Sequence, residues 1–333
     1  MTMQAGTEIN IAEHLDAEHR PVFERIPQRD LDPNDIEGTV ASIRKAGAAR
    51  LANAQVVLPA TVIIEDHVAP GRDGQPDVPV RLYRPQGAAT PTAAFYWIHG
   101  GGMVGGAVEA SDAYCAWIAE ALGVLVASVE YRLAPEHPYP APLDDCHTGL
   151  SWLIEQSEEF GIDTSRVALG GGSAGAGLAA GLALRLRDEG GVGGVSLCYQ
   201  HLVYPMLDDR NETASSHAIL DSRVWNRACN HVGWNAYLAG RAGGADVEAY
   251  AAPARATDLT GLPPTYICVG TLDLFLDEDI AYGRALLAAG VATELHVYPG
   301  AFHGSTGTVP NAALSRRWRE DELASIRRAL QQE

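Results

Sequence analysis

The sequence predicts an α/β fold in which a mostly parallel β-sheet is covered by helices on both faces. Short apolar runs alternate with helical patterns from residue 93 onward, which is typical of strands joined by crossover helices. The chain has 333 residues, 47% of them hydrophobic and 20% charged, so it can bury a large core. The interval 205–261 contains no clear strand and predicts an insertion into this alternation.

The N-terminal region, residues 1–55, predicts a helical attachment to the sheet. Asp32-Pro33 is typical of a helix start, and the residues that then recur at helical spacing are Ile36, Val40, Ile43, Gly47 and Leu51. After this region the pattern changes to two β-rich segments at residues 57–67 and 78–84, which predict an antiparallel edge of the sheet.

The elements beyond this edge follow from the apolar and helical patterns. Strands are predicted at residues 93–98, 124–129, 167–169, 195–203, 265–269 and 294–298. Helices are predicted at residues 112–122, 143–158, 175–188, 278–289 and 311–330. We therefore divide the chain into an N-terminal helical cap segment (1–55), an α/β domain (56–204 and 262–333) and a cap insertion (205–261) that covers the carboxyl edge of the sheet.

The charge balance excludes several kinds of partner. The formal net charge is -18, which repels nucleic-acid phosphates and anionic membrane surfaces. Lys45 is the only lysine, so neither a phosphate-loop lysine nor a Ser-x-x-Lys pair is available. We expect no nucleic-acid or membrane partner.

The cysteines and the N-terminus indicate the compartment. The five cysteines lie far apart without a Cys-x-x-Cys pair, which is typical of reduced thiols. Residues 1–20 are polar and lack the apolar stretch of a signal peptide, and no run of about 18 apolar residues is present to cross a membrane. These features predict a cytoplasmic protein.

A serine stands at a predicted strand-to-helix turn. Gly171-Gly172-Ser173-Ala174-Gly175 matches the pattern Gly-x-Ser-x-Gly, in which a sharp turn lifts the hydroxyl above the sheet and small neighbours avoid clashes. The helix that follows favours developing negative charge at its N-terminus. This context predicts that Ser173 is a nucleophile.

Two glycine patterns leave a dinucleotide-binding alternative open. Gly170-x-Gly172-x-x-Gly175 follows a strand and opens a helix, but no acidic residue ends a strand about 20 residues later. Gly100-x-Gly102-x-x-Gly105 is the better candidate, because Glu130 ends the next predicted strand.

The second of these patterns begins inside a His-Gly-Gly-Gly run. His99 to Gly102 stand at the end of a predicted strand, where a serine hydrolase needs backbone N–H groups close to its nucleophile. Gly101 and Gly102, with Ala174, are therefore the candidate donors to an oxyanion. His99 is interpreted as a residue that orders this loop.

Candidates for the catalytic acid and base follow the last two strands. Asp273 and His303 both stand at carboxyl ends of predicted strands, where open α/β sheets place their sites. The chain order Ser173, Asp273, His303 is that of a Ser-Asp-His triad, with Asp277 as the reserve for the acid. No His-Glu-x-x-His spacing appears, so we expect neither a metal nor a cofactor.

These motifs together resemble those of the bacterial hormone-sensitive-lipase family (family IV) of esterases, over about residues 55–305. The His-Gly-Gly-Gly run, the segment 131–142 (Tyr-Arg-Leu-Ala-Pro-Glu-His-Pro-Tyr-Pro-Ala-Pro), the serine motif, Asp273 and the segment 299–304 around the histidine occur in the family's order. The chain departs from the family at Gly172, where many relatives carry aspartate, and around Asp273, where relatives often read Asp-Pro-Leu-Arg-Asp-Glu.

The resemblance implies an α/β-hydrolase fold with a central sheet of about eight strands and a helical cap. It also implies a serine carboxylesterase that acts on short to medium acyl-chain esters without a cofactor. The candidate apolar walls of the substrate pocket are Trp225, Trp234, Tyr237 and Phe275. A non-catalytic small-molecule-binding protein on the same scaffold is the alternative, and amide, lactone or sugar-acetyl substrates stay open. The oligomeric state is also open, with a homodimer among the choices.

Overall fold

An eight-stranded sheet forms the centre of the computed structural model, which describes residues 8–53, 57–72 and 74–331. The strands are β1 (Val62–Ala69), β2 (Val78–Pro85), β3 (Thr92–Ile98), β4 (Leu125–Val129), β5 (Ile162–Gly172), β6 (Tyr199–Val203), β7 (Thr265–Leu272) and β8 (Thr293–Phe302). Their order is β1-β2-β4-β3-β5-β6-β7-β8. The β1–β2 and β2–β4 pairs are antiparallel, and all the others are parallel. The predicted fold class and antiparallel edge are confirmed.

Helices pack on both faces of this sheet and also lie in the N-terminal region and in the 205–261 interval. They are α1 (Ile11–His14), α2 (Arg20–Phe23), α3 (Ile36–Asn53), α4 (Asp112–Leu122), α5 (Ala141–Glu155), α6 (Ser157–Phe160), α7 (Ala174–Glu189), α8 (Ala214–Ala218), α9 (Arg227–Tyr237), α10 (Leu276–Ala288), α11 (Ser305–Thr308) and α12 (Ala313–Leu330). Helices α4 and α12 pack on one face, and α5, α7 and α10 pack on the other. Because strand side chains alternate between faces, β3 supplies Phe95 and Trp97 to one core and Tyr96 and Ile98 to the other.

Local differences from the predicted elements have simple causes. The first long helix begins at Ile36 rather than at Pro33, because the Asp35 carboxylate accepts from the Gly38 N–H at 2.9 Å and caps the helix there. The predicted helix at 143–158 is divided into α5 and α6. The predicted strand at 195–203 starts at Tyr199, because Val192 and Val195 close a small bridge of their own.

The N-terminal helices and the 205–261 interval pack together above the sheet. Helix α3 packs against α9, and Arg29 donates to the Ser222 and Val224 carbonyl oxygens. Arg44 ties α3 to the loop after β3 through the Val104 carbonyl, at 2.7 Å. We propose that both segments form one cap; its predicted boundary at residues 55 and 56 lies outside the described residues.

In residues 8–53, 57–72 and 74–331, no helix has the length and apolar character needed to cross a membrane.

Candidate active site

The Ser173 turn lies between β5 and α7 at the carboxyl edge of the sheet. Ser173 has φ 58° and ψ -121°, a conformation that costs a non-glycine residue free energy and is typical of functional turns. Its N–H donates to the Val203 carbonyl at 2.9 Å, and its carbonyl accepts from the Met206 N–H at 3.1 Å. A Cβ atom on Gly175 would lie 2.1 Å from the Ile98 carbonyl oxygen, so the helix start requires glycine at this position.

Two hydrogen bonds join Ser173, His303 and Asp273. His303 Nε2 lies 3.0 Å from Ser173 Oγ, and His303 Nδ1 lies 2.8 Å from Asp273 Oδ2. Asp273 is 1% exposed, and its Oδ1 accepts from the Phe275 N–H at 3.1 Å. Both carboxylate oxygens are thus bonded, and the acid has one orientation toward the imidazole.

Strand register explains why Asp273 and His303 meet. Leu272 of β7 pairs with Phe302 of β8 in a parallel ladder, so the next residue of each strand leaves the sheet side by side. Asp277 lies one helical turn further on, and its Oδ2 accepts from the Ser215 N–H at 2.7 Å. The structure therefore brings Asp273, and not the reserve Asp277, to the histidine.

Two aromatic rings hold the imidazole of His303. The Tyr204 and Phe275 ring centroids lie 4.6 and 5.3 Å from the His303 centroid, and both rings meet it edge-on. Sequence reasoning missed Tyr204. Its signal was available, because Tyr204 directly follows β6 at the sheet edge where Asp273 and His303 also stand.

The glycine loop after β3 lies against the serine turn. A Cβ on Gly100 would lie 3.2 Å from Ser173 Cβ, and Gly101 and Gly102 have φ values of 130° and 65°, which favour glycine. Within the described part of the chain, the N–H groups of Gly101, Gly102 and Ala174 make no hydrogen bond. Three donors are thus available beside Ser173.

His99 orders this loop, and in the described part of the chain its side chain makes no hydrogen bond to Ser173, Asp273 or His303. Its ring stacks on Tyr131 at 4.2 Å, its Nδ1 lies 2.9 Å from the Gly100 carbonyl, and the Tyr131 hydroxyl donates to the His99 carbonyl at 2.9 Å. Burial lowers the pKa of His99 to about 4, so the ring is neutral at pH 7.

The four predicted pocket residues separate into two pairs. Trp225 lies beside the glycine loop, where its ring would be 2.0 Å from a Cβ on Gly102, and Phe275 contacts His303. Trp234 and Tyr237 are fully buried and pack against each other in α9, with centroids 6.1 Å apart. Trp225 and Phe275 are thus the two that the structure places beside the glycine loop and His303.

Histidine, cysteine, aspartate and glutamate side chains are the groups most suited to hold a metal ion. In the described ranges, no three of them converge in a suitable arrangement. In a dinucleotide-binding site the glycine pattern leads directly into the N-terminus of a helix. Here a short 3₁₀ turn at Val108–Ser111 stands between the Gly100–Gly105 pattern and α4, so this requirement is not met.

Comparison with known proteins places the chain in a family. A family profile described as α/β hydrolase fold matches residues 95–306. Carboxylesterase NlhH of Mycobacterium tuberculosis is 34% identical over 93% of this chain and 97% of its own length. Ethyl acetate hydrolase of Pseudomonas putida is 33% identical over 70% and 72%. The solved structure of a bacterial heroin esterase superposes with a TM-score of 0.87 and 44% identity, over 96% of this chain and 98% of that one.

These matches define the chain as a carboxylic ester hydrolase. It belongs to the α/β hydrolase family, in the branch that is similar to hormone-sensitive lipase. The resemblance inferred from the motifs is confirmed, and the dinucleotide-binding and non-catalytic binding alternatives are set aside.

Proposed function

We propose that the protein hydrolyses short to medium acyl-chain esters by a Ser-His-Asp mechanism with a covalent acyl-enzyme intermediate. The observation that carries this proposal is the hydrogen-bonded chain from Asp273 through His303 to Ser173, with distances of 2.8 and 3.0 Å. Nucleophile and base are within proton-transfer distance, and the third group orients the base.

In the first half-reaction, Ser173 Oγ attacks the ester carbonyl carbon while its proton passes to His303 Nε2. Asp273 accepts the hydrogen bond from Nδ1–H and stabilises the imidazolium that forms. The carbonyl oxygen becomes an oxyanion, to which the N–H groups of Gly101, Gly102 and Ala174 donate. Each such donor stabilises the transition state by about 3 kcal/mol.

The intermediate then expels the alcohol, whose oxygen takes the proton from His303, and the acyl group stays on Ser173. Water enters, gives a proton to His303 and attacks the acyl carbon. The return of that proton to Ser173 Oγ releases the carboxylic acid. The neutral imidazole is restored, so each turnover consumes one water molecule and one ester.

Burial of the site supports small, soluble esters as substrates. Ser173 is 6% exposed and His303 has 12% of its side chain exposed, so a flat lipid surface cannot reach the hydroxyl. Trp225 lies beside the glycine loop and limits the room for a long chain there. The relative named ethyl acetate hydrolase supports the short end of the range.

The test is hydrolysis of p-nitrophenyl esters from acetate to dodecanoate. We expect activity to peak at short chains and to fall by at least about 10⁴-fold in Ser173→Ala and His303→Ala. Asp277→Asn is the matched control, because this nearby carboxylate bonds Ser215 rather than the histidine, and it should keep near wild-type activity. Retention of more than a few per cent of the activity in Ser173→Ala refutes the assignment of the nucleophile.

A further inference from the structure

A buried glutamate connects the helix after the acid loop to the segment beside the nucleophile. Glu278 stands in the first turn of α10 and is 3% exposed. Its Oε1 accepts from the Leu207 N–H at 2.8 Å and from the Asp208 N–H at 3.2 Å. In the described part of the chain, Oε2 has no hydrogen-bond partner. One oxygen atom therefore makes all of the side chain's hydrogen bonds.

The segment that Glu278 holds supports the nucleophile directly. Residues 203–208 bond both main-chain groups of Ser173, through the Val203 carbonyl at 2.9 Å and the Met206 N–H at 3.1 Å. The same segment includes Tyr204, which has a positive φ of 37° and whose ring packs on the catalytic histidine. A shift of residues 203–208 would therefore move Ser173 and also the Tyr204 ring that packs on His303.

The other end of the connection is the loop of the catalytic acid. The Leu276 N–H donates to the Asp273 carbonyl at 3.3 Å, and the Asp279 N–H donates to the Phe275 carbonyl at 2.9 Å. The acid loop and the first turn of α10 are thus one hydrogen-bonded unit. We propose that Glu278 is a positioning residue for the reaction. It fixes this unit to the 203–208 segment and so keeps the side chains of Asp273, His303 and Ser173 at hydrogen-bonding distance from one another.

Nothing in this arrangement requires Glu278 to be charged. Burial, with the Asp208 and Asp273 carboxylates nearby, raises the pKa of Glu278 well above its usual range. A neutral side chain accepts through its carbonyl oxygen, and glutamine offers the same oxygen at the same place. Glutamine therefore preserves the connection, and an apolar side chain of similar size removes it.

The next residue in the helix is a matched control. Asp279 is fully buried, and in the described residues neither of its carboxylate oxygens makes a hydrogen bond. Replacing Asp279 with leucine changes a buried acid in the same helical turn without breaking a side-chain hydrogen bond. Any general effect of altering buried acids in α10 will appear in this variant.

The experiment compares Glu278→Met, Glu278→Gln and Asp279→Leu in steady-state hydrolysis of p-nitrophenyl acetate, with folding checked by near-UV circular dichroism. An error of about 1 Å in catalytic geometry costs about 100-fold. We expect Glu278→Met to lose between 10- and 100-fold in kcat with KM within threefold. Glu278→Gln should restore kcat to within about fivefold, and Asp279→Leu should stay within about threefold.

Three results would overturn the proposal: unchanged kcat in Glu278→Met, a loss of more than tenfold in Glu278→Gln, or an equal loss in Asp279→Leu. If Glu278→Met does not fold, Glu278→Leu takes its place, and the Glu278→Gln criterion stands in either case. The proposal rests on the proposed function, so Ser173→Ala is assayed alongside. Activity that survives in Ser173→Ala rejects the catalytic assignment, whereas the Glu278 outcomes are read only where Ser173→Ala is inactive.

Discussion

Gly172 and Gly175 stand on either side of Ser173, the proposed nucleophile, and the structure predicts opposite outcomes when each is replaced by alanine. A Cβ on Gly175 would lie 2.1 Å from the Ile98 carbonyl oxygen and 2.4 Å from the His99 carbonyl oxygen. A Cβ on Gly172 would meet only the Trp97 ring, at 3.5 Å, which is an ordinary contact. Neither glycine has a positive φ, so backbone strain does not contribute to the difference.

The size of the Gly175→Ala effect follows from this contact. An ordinary carbon–oxygen contact is about 1 Å longer than the one that the new Cβ would make, so the helix start and the loop after β3 must separate by about that distance. Such a shift moves Ser173 away from the Gly101 and Gly102 donors, and about 1 Å of misplacement costs about 100-fold in rate. Overpacking of this kind also costs about 1–3 kcal/mol of stability. An ordinary Gly→Ala change within a helix stabilises the protein by up to about 1 kcal/mol. At Gly175 we expect the opposite sign, a loss of stability.

The assay is p-nitrophenyl acetate hydrolysis together with urea unfolding of both alanine variants. Gly175→Ala should lose about 100-fold in kcat and unfold at lower urea, while Gly172→Ala stays within about threefold and is equally or more stable. The reasoning is refuted if Gly175→Ala keeps more than a third of wild-type kcat, or if Gly172→Ala loses as much as Gly175→Ala.

Three further predictions concern a buried histidine, an arginine of α3 and the cysteine thiols. Because burial lowers the pKa of His99 to about 4, the unfolded chain binds a proton there between pH 6.5 and 4 that the folded chain does not. The free energy of unfolding should therefore fall by about 3 kcal/mol as pH falls through this window, and urea unfolding of His99→Gln should lack this component. Arg44→Met removes the bonds to the Val104 and Ala134 carbonyls and should lower the free energy of unfolding by about 1–2 kcal/mol. Glu136→Gln removes only an exposed ion pair and should cost less than about 1 kcal/mol by the same measurement. Burial raises the pKa of the Cys198 thiol to about 11 and also raises the pKa values of the other four thiols. Ellman's reagent at pH 8 should therefore label the protein only after urea is added. Rapid labelling of the native protein without urea would contradict this.

Much of the fold was predictable because secondary structure leaves a local pattern. Apolar runs such as 93–98 mark strands that are buried on both faces, and helical spacing marks the segments that cover them. Element boundaries were less predictable. The sequence pattern could not choose between Asp32 and Asp35 as the N-cap of α3, because both residues suit a helix start. The hydrogen bond from the Gly38 N–H identifies Asp35 as the cap.

The sequence by itself determined the fold class, the family, and the residue types and order of the candidate triad, because each of these depends on short motifs and local periodicity. Only the tertiary structure decided which acid meets His303, because that contact depends on the pairing of Leu272 in β7 with Phe302 in β8, two residues that are 30 positions apart in the sequence. It alone brought Tyr204 to the imidazole of His303 and Glu278 to the segment that bonds the main chain of Ser173. The physical reason is that strand order and register create these contacts, and neither leaves a periodic trace in the residues that make them.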